Sequence, residues 1–330
     1  MKSIGYLSML LLILGCGHSA RRTPGQVEKM DAALSNLLDE NPTIEIVAEG
    51  FDWCEGPLWL AASKTLIFSD VPKNVIYSWS EEAGLKEYLA PSGHTGSVPR
   101  EGEKGSNGLA LSRDNKLLIC QHGDRKVVVM DASLADPHPI YTTLADNIGG
   151  RKFNSPNDVA VRNNGDLYFT DPPYGLPGLD GDATKETPFN GVYRISKGQV
   201  YLLVDTLTKP NGIAFLPDGK TFIVANSDAA KPIWYAFDVD DQDAVYNARI
   251  FYNATTEFQK EGGGPDGLKV DQAGNIFATG PGGIWIFNAQ GKVLGKIKLP
   301  GRVSNCALAD AGKTLFVTNA NRVLRIKLKK

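Results

Sequence analysis

The stretch KPNGIAFLPDGKTFIVANSD, Lys209 to Asp228, sets two apolar runs on either side of a Pro-Asp-Gly turn. Asn211 stands just before the first run and is directly followed by Gly212. A tight link between two strands needs residues of this kind, so the stretch predicts a β-hairpin. Taken singly, an Asn before a Gly is a turn former, and one copy gives no reason to think otherwise.

The chain repeats the pattern. EGPLW from Glu55, NGLAL from Asn107, NDVAV from Asn157, NGIAF from Asn211 and DGLKV from Asp266 recur roughly every 50 to 55 residues, with a shorter last step to SNCALA around Asn305. A second apolar run follows each anchor (TLIFSD, KLLICQ, DLYFTD, KTFIVA, NIFATG, TLFVTN), and then a third, such as GVYRIS or GIWIFN. RDNK, NNGD, PDGK, QAGN and DAGK link first runs to second ones. Six units of short strands with such turns predict an all-β chain folded as a six-bladed β-propeller. The last unit stops at its third run. TIEIVAE, Thr43 to Glu49, alternates like a strand and has no unit of its own, so it is expected to close the last blade and remove a free edge.

The propeller therefore spans residues 43–330. Residues 21–42 carry Met30, Ala33, Leu34, Leu37 and Leu38 at helical spacing and are expected to form a tether or short helix. Residues 1–20 have the form of a signal peptide, with Lys2 ahead of the apolar run Ile4 to Leu14. Ile13-Leu14-Gly15-Cys16 resembles a bacterial lipobox, which implies an exported, periplasmic or extracytoplasmic lipoprotein tethered through acylated Cys16. Plain cleavage after Ala20 is the alternative, although His18 suits a small-residue site poorly.

With 330 residues, 42% hydrophobic and 22% charged, the composition is globular. A net charge of −2 with dispersed Lys and Arg gives no nucleic-acid footprint, so the expected partner is a small-molecule substrate and the expected state monomer or dimer. Cys54, Cys120 and Cys306 match no metal spacing; they read as buried free thiols, with a Cys54–Cys306 bridge left open.

In a propeller the innermost strands run along the central channel. Equivalent residues of six inner strands then form a ring: Glu55, Asn107, Asn157, Asn211, Asp266, and Ser304 or Asn305. Turn chemistry does not account for Glu55, a poor turn former at the same phase. Converging carboxylates repel unless protons or a cation neutralise them. Carboxylate and amide oxygens are hard donors, which favours one divalent cation, Ca²⁺ first, with Mg²⁺, Mn²⁺ or Zn²⁺ as alternatives.

The chain from about Thr43 onward resembles the SMP-30/gluconolactonase/LRE-like family of calcium-dependent six-bladed propellers that hydrolyse lactones. EGPLW, NSPNDVAVRNNGDLYFTDPPYG, FNGVYRI, KPNGIAF, GGPDGLKVD, FATGPGGIWIF and VSNCAL carry the resemblance. It implies that Glu55, Asn157, Asn211 and Asp266 hold the metal, with Asn157 serving substrate in some members. It also implies that the metal polarises the lactone carbonyl while Asp266 acts as general base toward water; in related phosphotriesterase propellers the equivalent Asp has been considered a nucleophile. One position departs. Sugar-lactone-specific animal members carry an arginine where this chain has Ser155, with Arg151 and Lys152 further back, which leaves aldonolactone specificity open.

Secondary substrate-binding candidates are Asn107, His122, Asn157, Asp171 and Tyr174. His122 follows a second strand at the end where a loop reaches the channel mouth, though a lone His is more often structural. DPPYG, Asp171 to Gly175, suggests a rigid lip. His94 lies in SGHTGSVPREGEKGSNG, expected to be a mobile loop, and His138 reads as surface. The expected function is a gluconolactonase-like lactone hydrolase. A phosphotriesterase or arylesterase on the same metal site and a noncatalytic ligand-binding propeller are the alternatives.

Overall fold

A computed structural model describes residues 21–329. The expected signal segment 1–20, with Cys16, lies outside them, and among the described residues no helix is long and apolar enough to cross a membrane. Six antiparallel sheets are arranged as the blades of a propeller, each starting from an inner strand near the predicted anchors. Blade four shows the pattern: Pro210–Phe215, Thr221–Asp228, Lys231–Val239 and Val245–Asn253 pair in sequence order. Its second strand has a buried centre, because neighbouring blades cover it, while its outermost strand is largely exposed.

Six apolar clusters form the core, one at each junction between blades. Between blades four and five, Trp234, Trp285 and Phe287 pack together and are almost wholly buried. Burial of each such side chain is worth on the order of 2–3 kcal/mol.

The ring closes as expected. Ile44–Glu49 pairs antiparallel with Arg322–Lys327, setting Ala48 opposite Val323 and Ile44 opposite Ile326. Ser304 Oγ donates to the Cys54 carbonyl at 2.6 Å and ties blade six to blade one.

The segment 21–42, expected as a tether or short helix, holds two short strands followed by a short 3-10 helix. Arg21–Arg22 pairs with Glu45 and Ile46, and Gln26–Lys29 adds a fifth strand to blade five against Val293–Lys298. Ala32–Asn36 makes a 3-10 turn capped by Asp31, and Leu34 and Leu38 are buried in the cluster between blades five and six. The helical spacing marked the two leucines that dock. The exposed sheet edges determine the rest, since they recruit backbone partners. Cys54, Cys120 and Cys306 are free and buried, with no Cys54–Cys306 bridge, and burial raises all three thiols above their ordinary range.

Candidate metal centre and substrate cavity

The Asn-Gly pairs are not turns. Asn211 and Gly212 both lie within the strand Pro210–Phe215. The glycine is required because the next blade's backbone passes against it: a Cβ on Gly212 would stand 2.3 Å from the Asp266 carbonyl oxygen. Second-strand hydroxyls stitch the anchors from blade to blade. Ser69 Oγ donates to the Asn107 carbonyl at 2.9 Å, and Thr170 Oγ1 to the Asn211 carbonyl at 2.6 Å.

The backbone settles the sixth position. Asn157 N–H donates to Thr170, Asp266 N–H to Thr279, and Ser304 N–H to Thr318, at 2.8, 3.1 and 3.0 Å. Ser304 is thus equivalent to Asp266, and Asn305 stands one residue further. The Ser304 hydroxyl is spent on ring closure rather than on the channel.

Glu55, Asn107, Asn157, Asn211 and Asp266 all line one cavity of about 530 Å³, together with Tyr174. A larger cleft of about 770 Å³ lies elsewhere, between His94 and Glu186, and contains none of them. The central cavity is strongly acidic at its base. Burial, then the charges of Glu103 and Asp158, pushes Glu55 up to about 8. Asp266 is held well above the usual carboxylate range by burial and by Glu55, Glu103 and Asp158, against which the Gly267 amide offers a partial offset. Oδ1 of Asp266 and Oδ1 of Asn107 are buried without a hydrogen-bond partner among the described residues. Such oxygens are costly unless something binds them.

The donor set fits a hard divalent cation: two carboxylates and amide oxygens converging on one cavity, with an acceptor left open. Among the described residues no three His, Cys, Asp or Glu side chains gather as a metal-holding group, and the remaining oxygen donors lining the cavity beside Glu55 and Asp266 include the amides of Asn157 and Asn211.

The secondary candidates separate. Tyr174 lines the cavity, its Oη donating to the Ser227 carbonyl at 3.4 Å. His122 lies behind the wall, wholly buried, with Nε2 3.5 Å from Asn157 Nδ2 and Nδ1 3.3 Å from Glu103 Oε2. Asp171 faces away from the cavity and serves the framework. Its two oxygens accept the Asn154 and Ser155 amides at 2.8 and 2.7 Å, and burial pushes it up to about 7. Ser155 is buried, its Oγ donating to the Pro172 carbonyl and accepting the Gly175 amide. His138 is exposed.

Trp53, Glu103, Lys209 and Arg302 are among the cavity residues not singled out from sequence. Lys209 directly precedes the anchor dipeptide Pro210-Asn211, and Glu103 stands four residues before Asn107, so proximity to an anchor was the available signal.

The family model for the SMP-30/Gluconolactonase/LRE-like region matches residues 53–321. The gluconolactonase of Zymomonas mobilis is 36% identical over 341 aligned residues, covering 100% of this chain and 95% of that protein. The solved structure of a gluconolactonase from Xanthomonas campestris superposes with a TM-score of 0.79 at 28% identity, over 94% of this chain and 97% of that one. A diisopropyl-fluorophosphatase of Loligo vulgaris is 25% identical over 177 residues, 51% of this chain and 55% of that protein. The chain belongs to the SMP-30/gluconolactonase/LRE-like family.

Proposed function

We propose that this chain is a gluconolactonase-like lactone hydrolase that works with one divalent cation, Ca²⁺ first among the candidates. The observation that carries the reading is the open Oδ1 of Asp266, buried beside Glu55 at a cavity base also lined by Asn157 and Asn211. Those four residues would hold the cation. When bound, the cation supplies polarisation of the lactone carbonyl and charge compensation for the tetrahedral oxyanion.

The chain's own residues do the rest. Asp266, with one oxygen committed to the cation site, offers the other to a water proton as general base. The buried base of the cavity lowers the local dielectric, which strengthens that proton transfer. Trp53 and Tyr174 give the substrate ring flat apolar surface, while Lys209 and Arg302 supply donors.

The similarity to the Zymomonas mobilis gluconolactonase supports the lactone reading. The likeness to the Loligo vulgaris diisopropyl-fluorophosphatase favours a second one, phosphotriester hydrolysis on the same residues. A panel of lactones, aryl esters and phosphotriesters assayed by proton release, on chelated and Ca²⁺-reconstituted protein, tests both. Lactone turnover that depends on the cation supports the first reading. Turnover of phosphotriesters alone favours the second, and turnover of none favours a ligand-binding propeller. Export with acylation at Cys16 completes the proposal; incorporation of labelled fatty acid that persists in Cys16→Ser would contradict it.

A further inference from the structure

Glu103 belongs to no blade. It sits in the connection between blades one and two, and hydrogen bonds tie this connection to the blades. Asn74 Oδ1 accepts the Gly93 and His94 amides at 2.7 and 3.0 Å. Arg100 donates to the carbonyls of Gly123 and Gly175, and Gly105 N–H to the Val71 carbonyl at 2.8 Å. Glu103 is therefore held between two fixed points, with the wholly buried His122 behind it, Nδ1 to Oε2 3.3 Å.

An acid here works against the framework. Its charge adds to the repulsion on Glu55 and Asp266, and among the described residues no Lys or Arg forms an ion pair with it. Among the described residues it does not gather with Glu55 and Asp266 into a three-acid metal-holding group. Yet its side chain is 35% exposed and lines the same cavity. A fixed, solvated, acceptor-only group beside the cation site is suited to donors on a ligand. Lys209 and Arg302, cation donors in the same cavity, are suited to acceptors. Hydroxyl groups are both, and a vicinal pair can donate to both oxygens of one carboxylate.

We propose that Glu103, backed by His122, is the residue that selects polyhydroxylated substrates by accepting hydrogen bonds from their hydroxyl groups. The inference rests on the lactone reading for the reaction, but not for the recognition. The test compares wild type with Glu103→Gln and Glu103→Ala on glucono-δ-lactone and on unsubstituted δ-valerolactone, and titrates the neutral polyol glucitol calorimetrically.

Removing one hydrogen bond to a charged acceptor is expected to cost about 10- to 100-fold in kcat/KM on the hydroxylated lactone. The loss should lie mainly in KM, be smaller in Glu103→Gln, and exceed the loss on δ-valerolactone at least about tenfold. Equal losses on both lactones, or none on either, would overturn the proposal. If wild type opens neither lactone, the lactone reading fails by itself. Glucitol then decides: binding that weakens in Glu103→Ala upholds the recognition role, and binding that is absent or unaltered overturns it.

Discussion

Asp266 combines two properties that rarely coincide: it is buried among acids, and one of its oxygens has no partner. Asp266→Asn keeps the shape and removes the base, so kcat should fall about 10²- to 10⁴-fold on any substrate turned over. Glu55→Gln removes one of the two carboxylates, and Ca²⁺ titration of the chelated variant by calorimetry should show weakened binding with an intact melting transition. Asp171 belongs to a different class. Its folded carboxyl is raised to about 7, so its contribution to stability is complete below about pH 4 and is lost as pH climbs through 7. Urea unfolding at pH 5 and pH 8 should therefore show wild type losing more stability than Asp171→Asn over that interval. Parallel losses would mean that the amides of Asn154 and Ser155, rather than burial, govern its ionisation.

At the scale of the strand, the anchor glycines and the strand-end polar groups form two concentric devices. At Gly56, Gly108 and Gly212 the first brings inner strands so close that a Cβ would run into the neighbouring strand's carbonyl oxygen. Gly212→Ala should push blades four and five apart and lower the melting temperature by several degrees while leaving secondary structure by circular dichroism intact. The second device ties the loop leading into each inner strand to the end of the second strand. Asp70 accepts the Asp52 and Trp53 amides, Asp171 those of Asn154 and Ser155, and Asn226 that of Lys209.

This explains which parts of the site were legible in the sequence. Repetition placed Glu55, Asn107, Asn157, Asn211 and Asp266 at one phase of the channel, and the family resemblance, not the phase, narrowed them to Glu55, Asn157, Asn211 and Asp266 as expected metal ligands. Asp171 stood open as a substrate contact, but TLIFSD and DLYFTD end on the same acid, and a residue repeated at strand ends belongs to the framework. Glu103 was hidden for the opposite reason. It lies in a connection with no counterpart in the other units, where only three-dimensional strapping brings it to the cavity.

For the molecule as a whole, the N-terminal segment 21–49 acts as a clasp. Ile44–Glu49 completes blade six, Gln26–Lys29 extends blade five, and Leu34 plugs the junction between them. Leu34→Ala should cost about 2–4 kcal/mol in chemical unfolding, since it empties a buried site at a junction of two blades. A loss near zero would mean that the segment docks without contributing to closure. The fold was legible at this scale from six repeats and one orphan strand. The part of the clasp before Ile44 was not, because strand additions at an edge leave no periodic mark in four residues.

The claim that unites these scales is that one divalent cation at Glu55, Asn157, Asn211 and Asp266 makes the cavity an enzyme for lactones. Its most direct test is the rate of glucono-δ-lactone opening, followed by proton release, as Ca²⁺ is titrated into chelated protein. Activity should be lost on chelation and return in proportion to bound cation, reaching its plateau at one equivalent. Turnover that continues undiminished in excess chelator would contradict it.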